Sequence, residues 1–208
     1  MPDDPEVLNT VEIRILGTLA EKKMLTPDVY PMTVNALHVA ANQKTARDPI
    51  MSLEMTDIVR GLGTLQRKGL VQQAFASRVD RFEHLLAQRF SLTQSQVALL
   101  ALMMVRGPQT AHELLARSER MARFPSVEEV RSSLDLLIGR KPALVAMIDR
   151  GPGQREERYA HLLGGPVAAS PAPARGSSHG SDIEPRLAAL EEQVARLTGQ
   201  IRSLTGES

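Results

Sequence analysis

One run of residues occurs twice in this chain. Ile58, Leu62, Leu65, Lys68 and the pair Leu70-Val71 return, in the same order and at nearly the same spacing, as Val130, Leu134, Leu137, Arg140 and Leu144-Val145. Each run is the apolar stripe of a short helix closed by a basic last turn and followed at once by the start of a strand. A duplicated supersecondary unit constrains the fold more than any other feature here, because it implies two similar small cores. The alternative is one continuous helical domain with an accidental likeness.

The rest of each zone agrees with duplication. In the first, Leu8, Val11, Ile15 and Leu19 mark one face of a helix, which TPDVYP ends. Val34, Leu37 and Ala41 follow on a second helix with Thr33 as its N-cap. The polar loop NQKTARDP then leads to the Ile58–Leu65 helix, to a strand at 70–71 and to a returning strand from about Val79 to Leu86. In the second zone, Thr93-x-x-Gln96, Thr110-x-x-Glu113 and Ser126-x-x-Glu129 are capping boxes for three successive helices. Gly107-Pro108 separates the first two; ALVAMI (143–148) predicts a strand, and 155–163 its return or a further helix. Three helices and a hairpin, twice over, predict a mainly α protein with small β-hairpin wings, in two tandem winged-helix domains at 1–88 and 89–165.

Beyond Gly164 the composition turns to Gly, Pro, Ala and Ser, which predicts a flexible linker over 166–182. A helix then resumes at 183–204. Ile183, Leu187, Leu190, Val194, Leu197, Ile201 and Leu204 alternate in steps of 4 and 3. With Leu187, Val194 and Ile201 at a and the others at d, the pattern predicts a parallel two-stranded coiled coil and hence a homodimer. A single helix folding back is the alternative.

Three stretches carry a family resemblance: AlaAsnGlnLysThrAlaArgAspProIleMet at 41–51, ArgGlyProGlnThr at 106–110 and ProGlyGlnArgGluGluArgTyrAlaHisLeu at 152–162. They resemble the hallmark segments of the bacterial YceH family, known as uncharacterised protein family 0502 or domain of unknown function 480. The likeness spans about residues 8–165. It implies two winged-helix domains and supplies neither an activity nor catalytic residues. This chain departs from the pattern at Ala41, where Cys is common, and at Ala46, where Asn is common; if the NQK loop binds something, Ala46 removes one hydrogen-bonding side chain from it.

No catalytic constellation stands out. The chain has no Cys, which excludes disulfides and thiolate chemistry. Its five histidines (38, 84, 112, 161 and 179) are scattered, and His112-Glu113 fails as a zinc-protease motif because Ala116 stands where the second His belongs. No phosphate-binding loop or nucleophile elbow is present. We expect a non-enzymatic protein with no cofactor and no metal. The acidic start MPDDPEVLNT lacks the features of a signal peptide, and no apolar run is long enough to span a bilayer. The expected location is therefore cytoplasmic, without membrane contact.

Nucleic-acid binding is the natural use of a winged helix, whose third helix enters the major groove while the wing meets phosphate. The candidate contacts are Asn42, Gln43, Lys44 and Arg47 in the polar loop, Arg60, Arg67 and Lys68 on the third helix, and Arg78 on the wing. In the second zone they are Arg131, Arg140 and Lys141, with Arg155 and Arg158 on its wing. Net charge is only +1, low for a dedicated nucleic-acid binder. Residues 1–88 hold 10 Lys/Arg against 11 Asp/Glu, and 89–165 hold 11 against 8, which makes the second zone the better DNA candidate on charge alone. The rival expectation is a protein-interaction scaffold, a use to which tandem winged helices are also put.

Overall fold

A computed structural model of the chain describes residues 7–74, 79–150 and 156–166. The expected linker and the heptad segment Ile183–Leu204 lie outside the described residues. Seven α-helices, a short 3-10 helix (Pro27–Val29) and two small antiparallel sheets make up the described part.

The first half begins with α1 (Thr10–Leu25). Asn9 caps it by accepting from the Glu12 amide at 3.0 Å, while the Glu12 carboxylate accepts from the Asn9 amide at 2.9 Å. β1 (Met32–Thr33) leads straight into α2 (Val34–Ala41), capped by the Thr33 hydroxyl as expected. A loop then reaches α3 (Met55–Arg67), and β2 (Val71–Ala74) and β3 (Arg81–His84) form the hairpin. α4 (Leu86–Phe90), where the sequence offers only the end of a strand, spans the expected boundary at residue 88.

The second half repeats the order with α5 (Gln94–Arg106), α6 (Ala111–Ser118), α7 (Val127–Ile138), β4 (Val145–Ile148) and β5 (Arg158–His161). All three expected capping hydroxyls (Thr93, Thr110 and Ser126) accept from the amide three residues on. Within the segment left open between strand and helix at 155–163, Arg158–His161 is a strand.

The duplication runs deeper than the helical stripe. Val71 pairs with His84 in the first hairpin, and Val145 with His161 in the second. Phe82 stands two residues before His84, as Tyr159 does before His161. The Leu85 amide donates to Leu70 O, and the Leu162 amide to Leu144 O, each at 2.8 Å. β1 adds a third strand on the far side of β3, pairing Met32 with Phe82. Its counterpart is a single bridge between Gln109 and Tyr159, placed just ahead of α6 as β1 is ahead of α2. Neither was legible from hydrophobic alternation, since two residues or one cannot show a period.

The halves do not stand apart: the described residues form one compact unit. α1 lies along α5, and α5 is buried on all sides from Gln96 to Val105. The close approach depends on Gly17, where a β-carbon would sit 2.7 Å from Met104 Cβ and 3.0 Å from Val105 Cγ1. The core therefore runs unbroken from Ile15, Leu19, Leu37 and Ile58 through Leu99, Leu100 and Met103 to Val130 and Leu137.

Candidate nucleic-acid interface

α3 turns Ile58, Gly61, Leu62 and Leu65 inward. At 100° per residue the opposite face carries Thr56, Val59, Arg60, Gly63, Gln66 and Arg67, all exposed. Arg60 stands 4.0 Å from Asp57, with its side chain 80% exposed. Arg67 donates from Nε to Gly63 O at 3.4 Å and from Nη2 to Thr64 Oγ1 at 3.1 Å. The acidic groups of this helix stand at its N-terminus, where the Glu54 amide donates to Asp57 Oδ2 at 3.0 Å and the charge suits the helix dipole.

The matching face of α7 is different. Its positions are Glu128, Arg131, Ser132, Asp135, Ile138 and Gly139, with Arg131 and Ile138 half-buried and the rest exposed. Glu129 stands in the first turn like Asp57 of α3, and the exposed Leu136 lies off this stripe, at the place of Thr64. The Glu128 carboxyl is held below the usual range by its own backbone amide and by the Ser126 hydroxyl, so it stays charged. Gly63 of α3 corresponds to Asp135 of α7. Charge counted by zone favoured the second half; on the outward helix stripe itself, α3 carries Arg60 and Arg67 with no carboxylate, whereas α7 carries Glu128 and Asp135 beside the half-buried Arg131.

Most of the expected basic contacts are engaged within the fold. Arg47 is the clearest correction. It points inward, donating to Glu21 Oε1 at 3.0 Å and Oε2 at 2.6 Å and to Ala40 O at 3.0 Å, with no side-chain exposure. Both terminal nitrogens are engaged by the buried carboxylate and by backbone carbonyls, a charge-assisted fork that leaves neither for a phosphate. Lys68 reaches back to Glu12 Oε2 at 2.9 Å and Val7 O at 3.2 Å. Arg140 donates to Phe90 O, and Arg158 to Pro108 O. Asn42 braces the loop by accepting from the Leu53 amide at 2.7 Å and donating to Leu53 O at 2.9 Å. Gln43 accepts from Lys22 Nζ at 3.5 Å. Arg131 is half-buried, and Lys44 and Lys141 are exposed. Arg78 and Arg155 lie outside the described residues.

The loop after α2 is held by groups that the sequence did not single out. Arg14, buried in α1, donates to Ala41 O at 3.3 Å and Pro49 O at 2.6 Å. Burial, and then the neighbouring Arg47, push its pKa down. Arg14 and Glu21 are two helical turns apart in an otherwise apolar stretch, the one signal that they share an inward face. Ala46 adopts φ 59°, a left-handed conformation that Asn tolerates better than Ala. The resemblance to a family with Asn there thus has a backbone reason, separate from any ligand contact.

The three hallmark stretches meet at this junction. The Asp48 amide donates to Val105 O at 2.9 Å, beside the turn at Arg106-Gly107-Pro108, and Gln109 and Tyr159 exchange backbone hydrogen bonds of 3.0 and 2.7 Å. Gln109, fully buried, donates to Leu102 O at 3.0 Å and accepts from Arg117. These motifs read as architecture: they tie the loop of one half to the sheet of the other.

Among the described residues there is no cluster of three or more His, Asp or Glu placed to hold a metal ion. Nor is any helix among them long and apolar enough to cross a membrane.

The molecule is thus a mainly helical protein of two like halves, each ending in a small antiparallel hairpin, fused through one core. A family model described as "Protein of unknown function, DUF480" matches residues 8–154. Curated relatives extend the match over nearly the whole chain. A UPF0502 protein of Mesorhizobium japonicum is 58% identical over 99% of this chain and 100% of its own length. One of Xanthomonas axonopodis pv. citri is 50% identical, covering 93% and 90%. One of Stenotrophomonas maltophilia is 46% identical, covering 99% and 97%. The chain belongs to the uncharacterised family 0502, as its three hallmark stretches suggested.

Proposed function

We propose that this protein is a non-enzymatic, cytoplasmic, DNA-associated factor made of two fused winged helices, in which the first half meets the duplex and the C-terminal heptad segment pairs two chains. The observation that carries the reading is the outward face of α3. Thr56, Val59, Arg60, Gly63, Gln66 and Arg67 form an exposed stripe free of carboxylate. These side-chain types suit base edges: Arg for guanine, Gln for adenine, an aliphatic group for the thymine methyl. Arg81, on the adjoining hairpin, is engaged with Pro31 O at 2.8 Å, so the described part of the wing adds little free charge.

With few free cations, affinity should be modest and pairing should raise it through effective concentration. Fluorescence anisotropy on random and genomic duplexes, across a salt series, tests this. The expected result is binding at low salt with a shallow dependence, about −0.9 in log K per log salt for each phosphate neutralised. Reversing both Arg60 and Arg67 to Glu should abolish it, while Arg131→Glu should change it little. Absence of wild-type binding at low salt would overturn the reading. Light scattering on the full chain and on one lacking residues 182–208 tests pairing; an unchanged mass would sink it.

A second reading, a protein-binding scaffold, is favoured by the other half. The exposed Leu136, next to Asp135, suits a protein partner with apolar and basic groups better than it suits phosphate.

A further inference from the structure

Three glycines lie within the described helices, and two have an internal reason. Gly17 admits α5 against α1. At Gly61 a β-carbon would sit 2.5 Å from Ile15 Cδ1, so the buried Ile15 side chain would have to move for α3 to keep its packing on α1. Gly63 has none: a β-carbon there would meet nothing within 4 Å. It sits in the interior of a 13-residue helix, away from both caps and in ordinary helical conformation. A glycine at such a position weakens the helix relative to alanine, through backbone entropy in the unfolded chain. Nothing among the described residues compensates the cost.

The neighbours of Gly63 are set by helical geometry. Val59 and Arg60 precede it by one turn, and Gln66 and Arg67 follow by one, so it is the bare centre of the exposed stripe. At the equivalent place in α7 stands Asp135, a side chain that would hold off a phosphate-lined surface by bulk and by charge.

We infer that Gly63 is a close-approach point, at which the backbone of α3 comes against the wall of a DNA major groove while Val59, Arg60, Gln66 and Arg67 reach past it on either side. The inference rests on the DNA reading above and goes beyond it by fixing which position sets the depth of insertion. The occupant is a duplex, since two arginines flank the bare centre and the carboxylates lie at the helix start. A side chain at 63 lifts the helix away from the base edges and lengthens every contact at once, so the loss grows with side-chain size.

The test is the series Gly63→Ala and Gly63→Leu in the full chain, read by thermal melting and by anisotropy on the same duplex pool beside the wild type. Gly63→Ala should raise Tm by about 2–4 °C. It should also weaken DNA binding roughly tenfold, the size of one good base contact. Gly63→Leu should keep the fold and weaken binding further. Wild-type binding with no loss in either variant overturns the close-approach inference and leaves the DNA reading standing. No wild-type binding at low salt overturns both. Weaker binding together with a lower Tm would show that Gly63 serves the fold, and would also overturn the inference.

Discussion

The two halves agree inside and disagree outside. Ile58, Leu62 and Leu65 of α3 and Val130, Leu134 and Leu137 of α7 fill equivalent places and are all buried. The hairpins match down to the cross-strand pairs Val71–His84 and Val145–His161. Yet the outer face of α3 presents Arg60, Gly63 and Arg67, and that of α7 presents Glu128, Ser132 and Asp135. A duplicated fold needs its interior kept, because packing punishes volume changes. Its surface is free to diverge, and charge placement is where function separates. The halves also differ in their middle connection. The first has a loop clamped by a buried Arg47–Glu21 pair; none of the ion pairs among the described residues clamps the α6–α7 connection.

That difference can be broken at its strongest point first. Arg47→Ala leaves Glu21 buried without its partner and should cost about 3–5 kcal/mol in urea unfolding. Arg123→Ala, exposed in the matching connection, should change stability by no more than about 0.5 kcal/mol. Equal effects would mean the clamp contributes nothing special.

The shared histidines come next. His84 is buried, its Nδ1 accepting from the Leu86 amide at 3.3 Å, and burial and then the nearby Lys23 lower its pKa from 6.5 to about 4. His161 is partly exposed at one edge, but its Nδ1 is buried without a partner, and desolvation likewise takes it to about 4. The unfolded chain binds these protons below pH 6.5 and the folded chain does not until about pH 4. Stability is therefore full above 6.5 and falls as pH drops through that window, at up to about 1.4 kcal/mol per pH unit for His84 and less for the partly solvated His161. Urea midpoints at several pH values check the slope, and His84→Leu should flatten it more than His161→Leu.

Gly17→Ala probes the seam between the halves. Its β-carbon would press on Met104 and should cost about 1–3 kcal/mol, seen as a single shifted transition because both halves share the core. Two separate transitions would show that the halves melt independently. The smallest expected effect is a gain. Ala46→Asn or Ala46→Gly relieves the left-handed strain at φ 59° and should stabilise by about 1 kcal/mol. No second-half counterpart needs such relief, since the other positive-φ non-glycine described, Ser91, lies in the link between halves.

Much of the fold was legible because it is local. The periodic stripes, the capping hydroxyls at Thr33, Thr93, Thr110 and Ser126, and the hairpin starts at Leu70 and Leu144 are written within a few residues of where they act. The interface was less legible. Arg47 and Lys68 have the composition of DNA contacts, and only the long-range placement of Glu21 and Glu12 decides that they face inward. The reverse holds for α7, whose zone is basic in total while its outward stripe is acidic. Gly63 carries no signal in the sequence pattern; only the contrast with Gly61, two residues away and pressed against Ile15, sets it apart.

The burial of α5 on every side has one more consequence. Because α1 carries α3 and packs on α5, and α7 packs on the same α5, the separation and angle between the outward faces of α3 and α7 are set by the shared core. The protein is in that sense a fixed-jaw gauge. Anything that touches both faces, whether one duplex and one protein or two sites on a single partner, must already have the matching span, and a partner a few ångströms too short or too long gains nothing from waiting for the jaws to move.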